Sequence, residues 1–406
     1  MTIMASEFLT LKSIGEIKRH NLQMQILWLL YQGQQSTASL LSKTLSLSLP
    51  TIRHMLDLLI EASMVEVVGN VKSKGGRIPL VYRLQSNAFG VIAIEIGHYF
   101  SKLVVINCHN QNVCDIVKVE TNIDDADLVA KLFDAYRSVS LYMGHQGINV
   151  VGVGVSTPGL IDSENGVNYT IKEVALQNMT QRFRNVFDMP VLVENDARMQ
   201  ALGELMFGKA KNARNALVVN WNWGLGLGII NDGKIYSGDV GFAGEFSHIR
   251  IIRDGDLCEC GKTGCLQTIA SLRYLLKIAR QSIQEGVVSQ LTQQFQHRID
   301  DLKPADVVAC ALRGDELSLM LLRKISENLA WGLSILIQLY NPELILIKGP
   351  LTEAGQHITI PLSLALNQYC LGEIVGKVTI DVAGIDDDMG QRGVASLVFQ
   401  KQFNSL

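Results

Sequence analysis

Between His248 and Cys265 the chain gathers one imidazole and three thiols: His248, then Cys258, Cys260 and Cys265 in the run Cys-Glu-Cys-Gly-Lys-Thr-Gly-Cys. One nitrogen and three sulfurs fill a tetrahedral Zn²⁺ shell with no open position, which is the pattern of a structural metal rather than a catalytic one. Three residues before the histidine stands Glu245. Other polar groups fall at predicted loops. Glu194-Asn195-Asp196 ends a predicted strand over 191–193 and caps a predicted helix over 197–207; residues 154–162 follow a buried strand; Gln267 follows the last cysteine. Carboxylates, amides and an imidazole suit a polyhydroxylated ligand, since each holds one or two hydroxyls in defined geometry. Asp196 can take a proton from a hydroxyl as a general base or act only as a helix N-cap.

The elements that must position these groups read as one unit used twice. Residues 91–119 alternate as three strands, a helical stretch follows over 124–143, and a buried strand covers 148–155. Residues 216–237 repeat the three strands, and after intervening helices 342–348 repeats the buried strand. Two β-β-β-α-β copies predict two α/β lobes with a cleft between them, a favoured place for ligands.

Ahead of the lobes, residues 17–31 carry Leu22, Ile26, Leu29 and Leu30 at helical spacing, and Gly33 is the expected stop. Ser36-Thr37 can cap a short helix with Leu40, Leu41 and Leu45 inward. Ser48 can cap a third helix with Pro50 in its first turn and Ile52, Met55, Leu56, Leu59 and Ile60 as one apolar stripe. Val65 and Val67, then Leu80, Tyr82 and Leu84, alternate as strands around a basic tip that ends in Arg77. This order is a winged helix-turn-helix. Its third helix is expected in the major groove, with Ser48, Pro50, Thr51, Arg53 and His54 at the DNA and Arg77 on backbone or minor groove. A three-helix bundle that binds protein is the plainer alternative.

Charge follows the same division. Residues 1–85 hold nine Lys/Arg against five Asp/Glu, so +4, while the whole 406-residue chain is −3. A basic head on an acidic body fits a DNA-binding module on a ligand-binding one. Hydrophobic content of 48% fits an ordered protein. No apolar run is long enough for a bilayer and no signal peptide is evident, so the sequence reads as cytosolic with no membrane partner. Residues 329–340 read as a buried helix. Of seven cysteines, Cys108, Cys114, Cys310 and Cys370 lie outside the cluster and read as small buried hydrophobes.

Taken together, these motifs resemble the ROK proteins (repressors, uncharacterised frames and sugar kinases). The resemblance rests on residues 152–162, on Asn195-Asp196 with Ala201-Leu-Gly-Glu204, on Gly224, Gly226 and Gly228, and on residues 241–267 with their His and three Cys. The head, ending in Gly75-Gly76-Arg77-Ile-Pro79, resembles the repressor branch, whose best-known members regulate N-acetylglucosamine, glucose or xylose genes. The resemblance implies a duplicated actin-like, ribonuclease-H-like sugar-kinase fold behind the winged head. It implies zinc on His248, Cys258, Cys260 and Cys265, and a sugar pocket of Asn195, Asp196, Glu245 and His248. The domains are expected at 1–85, at 86–194 completed by 385–406, and at 195–384 with the zinc loop, sugar binding and oligomerisation.

The chain also departs from the family's kinases. Their first phosphate turn, Asp-x-Gly-Gly-Thr, is here Glu95-Ile-Gly97-His98-Tyr99; Gly-Thr-Gly is Asn222-Trp223-Gly224; and Gly-Gly after the second buried strand is Lys348-Gly349. Bulky side chains keep backbone amides away from phosphate. On the sugar side a family glutamate is Gln267 and a glycine is Ser247, which raises the option of a phosphorylated ligand. The expectation is therefore a repressor that binds operator DNA as a homodimer or homotetramer and is released by a sugar or sugar phosphate. Asp196 is then a vestigial base. A sugar kinase, or a repressor governed by a protein partner, are the rival readings.

Overall fold

The structure is a computed structural model that describes residues 13–70, 79–97, 99–144, 147–384 and 388–403. Helix α1 (Ile14–Gly33) opens with a capping box: Glu16 N–H donates to Ser13 Oγ, and Ser13 N–H to Glu16 Oε2. It ends at Gly33, the expected stop, with Gln34 beyond it in the left-handed region at φ 62°. Gln34 Nε2 donates to Tyr31 O at 2.8 Å, so its own side chain satisfies the last turn. β1 (Ser36–Thr37), α2 (Ala38–Leu45) and α3 (Leu49–Glu61) follow. Leu40 was expected inward but is 55% exposed. Thr37 caps α2 one residue ahead of Ala38, and Leu41 is buried as expected, with Ala38 in the place foreseen for Leu40. On α3, Ile52, Met55, Leu56 and Leu59 are buried as expected. β2 (Val65–Asn70) and β3 (Leu80–Leu84) complete a wing in the order β1-β3-β2. The basic tip with Arg77 lies outside the described residues.

The chain divides into two compact units, Met1–Asn195 with Gln391–Leu406, and Asp196–Gly390. In the first, β4 (Gly90–Glu95), β5 (Phe100–Asn107) and β6 (Val117–Glu120) form an antiparallel meander. α4 (Leu128–Gly144) leads to β7 (Val150–Thr157), which pairs parallel to β4. The short pair β8 (Ile161–Asp162) and β9 (Val167–Asn168), then α5 (Met179–Phe187), precede β10 (Val191–Asn195), parallel to β7. β6 starts later than the alternation around Val113 suggests. Asn107 Oδ1 accepts from the N–H groups of His109 and Gln111, and this side-chain turn bends the chain out of the sheet.

The head is keyed to this unit. Tyr31 of α1 is 1% exposed; its hydroxyl donates to Asn110 Oδ1 at 2.6 Å, and its ring packs on Phe399 with centroids 4.9 Å apart. His109 Nε2 lies 2.7 Å from Leu84 O, and the Cys108 thiol donates to Gln85 O at 3.0 Å. Cys108, Cys310 and Cys370 are buried as expected, while Cys114 is only partly so.

The second unit begins with α6 (Asp196–Phe207) and repeats the sheet. β11 (Ala216–Trp221), β12 (Leu225–Asn231) and β13 (Lys234–Tyr236) are antiparallel, and β14 (Leu344–Lys348) and β15 (Thr379–Val382) are parallel to β11 and to β14 respectively. The orders β6-β5-β4-β7-β10 and β13-β12-β11-β14-β15 are the same, as the internal repeat predicts. Helices Leu272–Gln284, Pro304–Leu312, Glu316–Tyr340 and Gln356–Tyr369 build the large core of this unit. The stretch 329–340 buries one face only, with Leu339 75% exposed. Among the described residues no helix is long and apolar enough to cross a membrane.

Helix α6 lies directly on β12. A Cβ at Gly228 would meet Ala201 Cβ at 2.2 Å, and one at Gly226 would meet Ala197 Cβ at 2.7 Å, so two glycines make the approach possible. At the far end of α6, Glu204 Oε1 accepts from Lys348 Nζ at 2.5 Å, with both side chains 3–4% exposed. Glu204 Oε2 accepts from Lys209 N–H at 2.9 Å. Replacing Lys348 by Met is expected to cost about 3–5 kcal/mol, because it strands a buried carboxylate. Adding Glu204→Gln should recover more than half of that. Urea unfolding of both variants checks the pair.

Candidate functional site

The loop after β13 carries the cluster. Residues 246–248 form a single 3-10 turn, and the segment after it folds back on itself. Cys258 N–H donates to Lys262 O, Gly261 N–H to Cys258 O, and the N–H groups of Ile251 and Ile252 to Gly264 O. This knuckle brings the side chains of His248, Cys258, Cys260 and Cys265 together, with one ligand atom from each lying within 4.8 Å of all the others. Cys258 Sγ is 3.6 Å from His248 Nδ1, and Cys260 Sγ is 3.6 Å from Cys265 Sγ. A four-coordinate metal with sulfur at about 2.3 Å sets neighbouring sulfurs about 3.7 Å apart, so the spacing fits a metal ion. The electrostatics ask for one. Burial, with Cys260 and Cys258 alongside, pushes the Cys265 thiol up to about 12. Three thiolates this close need a cation to ionise together. Burial, and then the charge of Lys262, depresses the His248 imidazole and keeps it in the neutral, metal-binding form.

Gln267 is placed differently from the hydroxyl donor that its position suggests. Its Nε2 donates to Cys258 Sγ at 3.2 Å, so the amide supports a metal ligand. A glutamate there would offer the sulfur no donor.

The carboxylates sit on neighbouring elements of the same unit. Asp196 is the first residue of α6, and its Oδ1 accepts from the N–H of the next residue, Ala197, at 2.8 Å, so it satisfies one of the free amides of the first turn. Glu245 is half-buried on the cluster loop, with Oε2 3.8 Å from His248 Nε2. The histidine thus turns one nitrogen to the thiols and the other to the carboxylate. Burial raises the Glu245 carboxyl above its usual range; Arg198 opposes this and Asp196 adds to it. Gly244, at φ +98°, holds the loop against β12, where a Cβ would meet Leu227 O at 2.3 Å. Ser247, where family kinases carry glycine, is buried.

Asn195 is the last residue of the first unit, and its Nδ2 donates to Gly159 O at 3.1 Å. Arg198 escaped the sequence reading. Its guanidinium is 1% exposed and donates to Gly241 O. The available signal was an arginine on the apolar face of a helix, between Ala197 and Met199.

At the sites of the family's phosphate turns, Tyr99 is 70% exposed and His98 lies outside the described residues. Trp223 stacks under Arg273 at 5.5 Å, and Arg273 pairs with Glu259 of the knuckle at 2.5 Å. Lys348 is committed to Glu204. In the head, Ser48 Oγ accepts from Thr51 N–H at 3.3 Å and caps α3. Ser48, Pro50, Thr51, Arg53 and His54 are all exposed at its start.

Residues 91–401 match the profile of the ROK family. A xylose repressor of Caldicellulosiruptor bescii is 27% identical over 88% of this chain and 90% of its own length. A glucokinase of Halalkalibacterium halodurans is 32% identical over 71% of this chain and 85% of its own. Among solved structures, a ROK family transcriptional regulator described as a homologue of the E. coli Mlc protein superposes with a TM-score of 0.77 at 24% identity, covering 91% of this chain and 93% of that one.

Elemental analysis should find one metal ion per chain, lost in Cys258→Ser. Retention should fall as pH falls, because protons compete for the thiolates. Gln267→Glu should weaken metal binding by about 10–100-fold, read by competition with a chromophoric chelator.

Proposed function

From the chain's membership of the ROK family we propose that it is a transcriptional repressor whose operator binding is released by a sugar. The observation that carries this reading is a winged helix-turn-helix head joined to a body that keeps Asp196 and Glu245 of the family's sugar site while its phosphate turns carry Tyr99, Trp223 and Lys348. The exposed start of α3 offers Thr51, Arg53 and His54 to base edges and phosphates, with Ser48 and Pro50 fixing the helix entry. Arg77, outside the described residues, is proposed from the sequence as a further contact. A homodimer placing two heads on a roughly palindromic operator is the simplest assembly.

In this reading the metal is zinc, held by His248 Nδ1 and the thiolates of Cys258, Cys260 and Cys265, and its role is structural. It rigidifies the loop that carries Glu245 and fixes the tautomer of His248, whose Nε2 is left for a hydroxyl. Asp196, Glu245 and His248, with Asn195, are the proposed sugar residues. Two carboxylates accept hydroxyl hydrogens, and Gln267 is engaged with Cys258. These groups favour a neutral sugar over a phosphorylated one. The sugar acts by preferring one of two arrangements of the repressor, and a coupling of about 1–3 kcal/mol is enough for useful induction.

Arg53→Ala is expected to weaken operator binding by about 1–3 kcal/mol, measured by fluorescence anisotropy at fixed salt, with sugar binding unchanged. Unaltered operator affinity would refute the assignment of the head. Calorimetry with neutral sugars and their phosphates, run beside a coupled ADP-release assay, separates the readings of the body. Sugar-dependent turnover abolished by Asp196→Asn would make the chain a kinase. Operator release by a cell extract but by no sugar would point to a protein partner.

A further inference from the structure

Arg198 is a full charge in a place where a charge is costly. It lies on α6 two residues after Asp196, among Ala197, Met199, Ala201 and Leu202, and is 1% exposed. A guanidinium out of water is retained only where its hydrogen bonds and countercharges are supplied. One partner is the carbonyl of Gly241, which opens the loop leading through Glu245 to His248. The loop has a second anchor at Gly244, pressed on Leu227 of β12, and a third where Ala243 N–H donates to Ser237 O. One buried side chain on α6, the helix that opens with Asp196, thus holds the loop that carries Glu245.

We propose that Arg198 is a positioning residue that determines sugar specificity: by pinning residue 241 to the first turn of α6 it sets where Glu245 stands relative to Asp196, and so which pair of hydroxyls the site accepts. The proposal rests on the reading of Asp196, Glu245 and His248 as sugar ligands. A pair of acceptors held at a fixed separation discriminates between epimers, because a hydroxyl on the wrong face leaves one carboxylate without its hydrogen bond. Lysine cannot replace the planar fork, which donates along more than one direction at once.

The test uses the full chain as Arg198→Lys, Arg198→Met and Arg198→Met/Glu245→Gln. Binding of glucose, mannose, galactose, xylose and N-acetylglucosamine is measured by calorimetry, with metal content and sugar-free operator affinity alongside. In Arg198→Lys the preferred sugar should lose about tenfold or more in affinity. Its ratio over the epimer differing at one hydroxyl should fall toward one, with metal content and operator affinity unchanged. A folded Arg198→Lys or Arg198→Met that keeps the native epimer ratio overturns the proposal. If both single variants fail to fold, the double variant, with both charges removed, should fold and bind without discrimination; its failure to fold makes Arg198 merely structural and overturns the proposal as well. If the native chain binds none of the sugars, the sugar reading itself fails. Amide hydrogen exchange over residues 241–248 then still tests the clamp: faster exchange in Arg198→Lys supports it, and an unchanged rate removes it.

Discussion

Helix α6 can lie where it does only because β12 carries no side chains at Gly226 and Gly228. Any larger residue at either position would collide with Ala197 or Ala201 and lift the helix from the sheet. Much of the candidate site hangs from that contact. The first residue of α6 is Asp196, its third is Arg198, and its ninth is Glu204, so one rigid rod presents a site carboxylate, a buried cation and a buried anion at fixed separations. The cation reaches the loop at Gly241 and the anion reaches β14 at Lys348. Both are charges out of water, costly unless paired, and their pairing makes displacement of the helix more costly still.

The loop pinned by Arg198 has its own constraint a few residues on. Three thiols and an imidazole crowd within 4.8 Å, and burial with the neighbouring thiols opposes ionisation of Cys265. A dication bound there would relieve that, and the Gln267 amide adds a donor to Cys258. Glu245, the proposed sugar carboxylate, therefore stands between two anchors, the Arg198 hydrogen bond at residue 241 and the candidate metal cluster at residue 248. The changes in the phosphate turns fit the same economy of space: Trp223 and Arg273 brace the knuckle through Glu259, and Lys348 fills the end of β14.

In the first unit the corresponding constraint is Tyr31. A buried phenol needs a hydrogen-bond partner, and Asn110 supplies it from the turn after β5, while Phe399 and Phe403 close over the ring. The head is thereby joined to the sheet by packing and hydrogen bonds rather than by a linker alone, so a separate head domain ending near residue 85 understates the contact. Tyr31 carried no sign of this in the sequence, where it reads as the last apolar position of an ordinary helix.

Local rules made much legible. Helical and strand periodicity located the three head helices, the wing strands and the doubled β-meander, because side-chain direction follows backbone period over a few residues. The quartet His248, Cys258, Cys260 and Cys265 was legible because thiol spacing within one tight knuckle is a local property. The phase of a short helix was less so: Leu40 faces out because the cap on Thr37, not the apolar count, sets the rotation of α2. Pairings across long separations were invisible. Tyr31 with Asn110, Arg198 with Gly241 and Glu204 with Lys348 lie 79, 43 and 144 residues apart. The sequence by itself determined which polar groups exist and which elements carry them. Only the tertiary structure decided which of them meet, because partners for buried charges and hydroxyls are chosen by the packing of whole helices and sheets, a property no short stretch of chain contains.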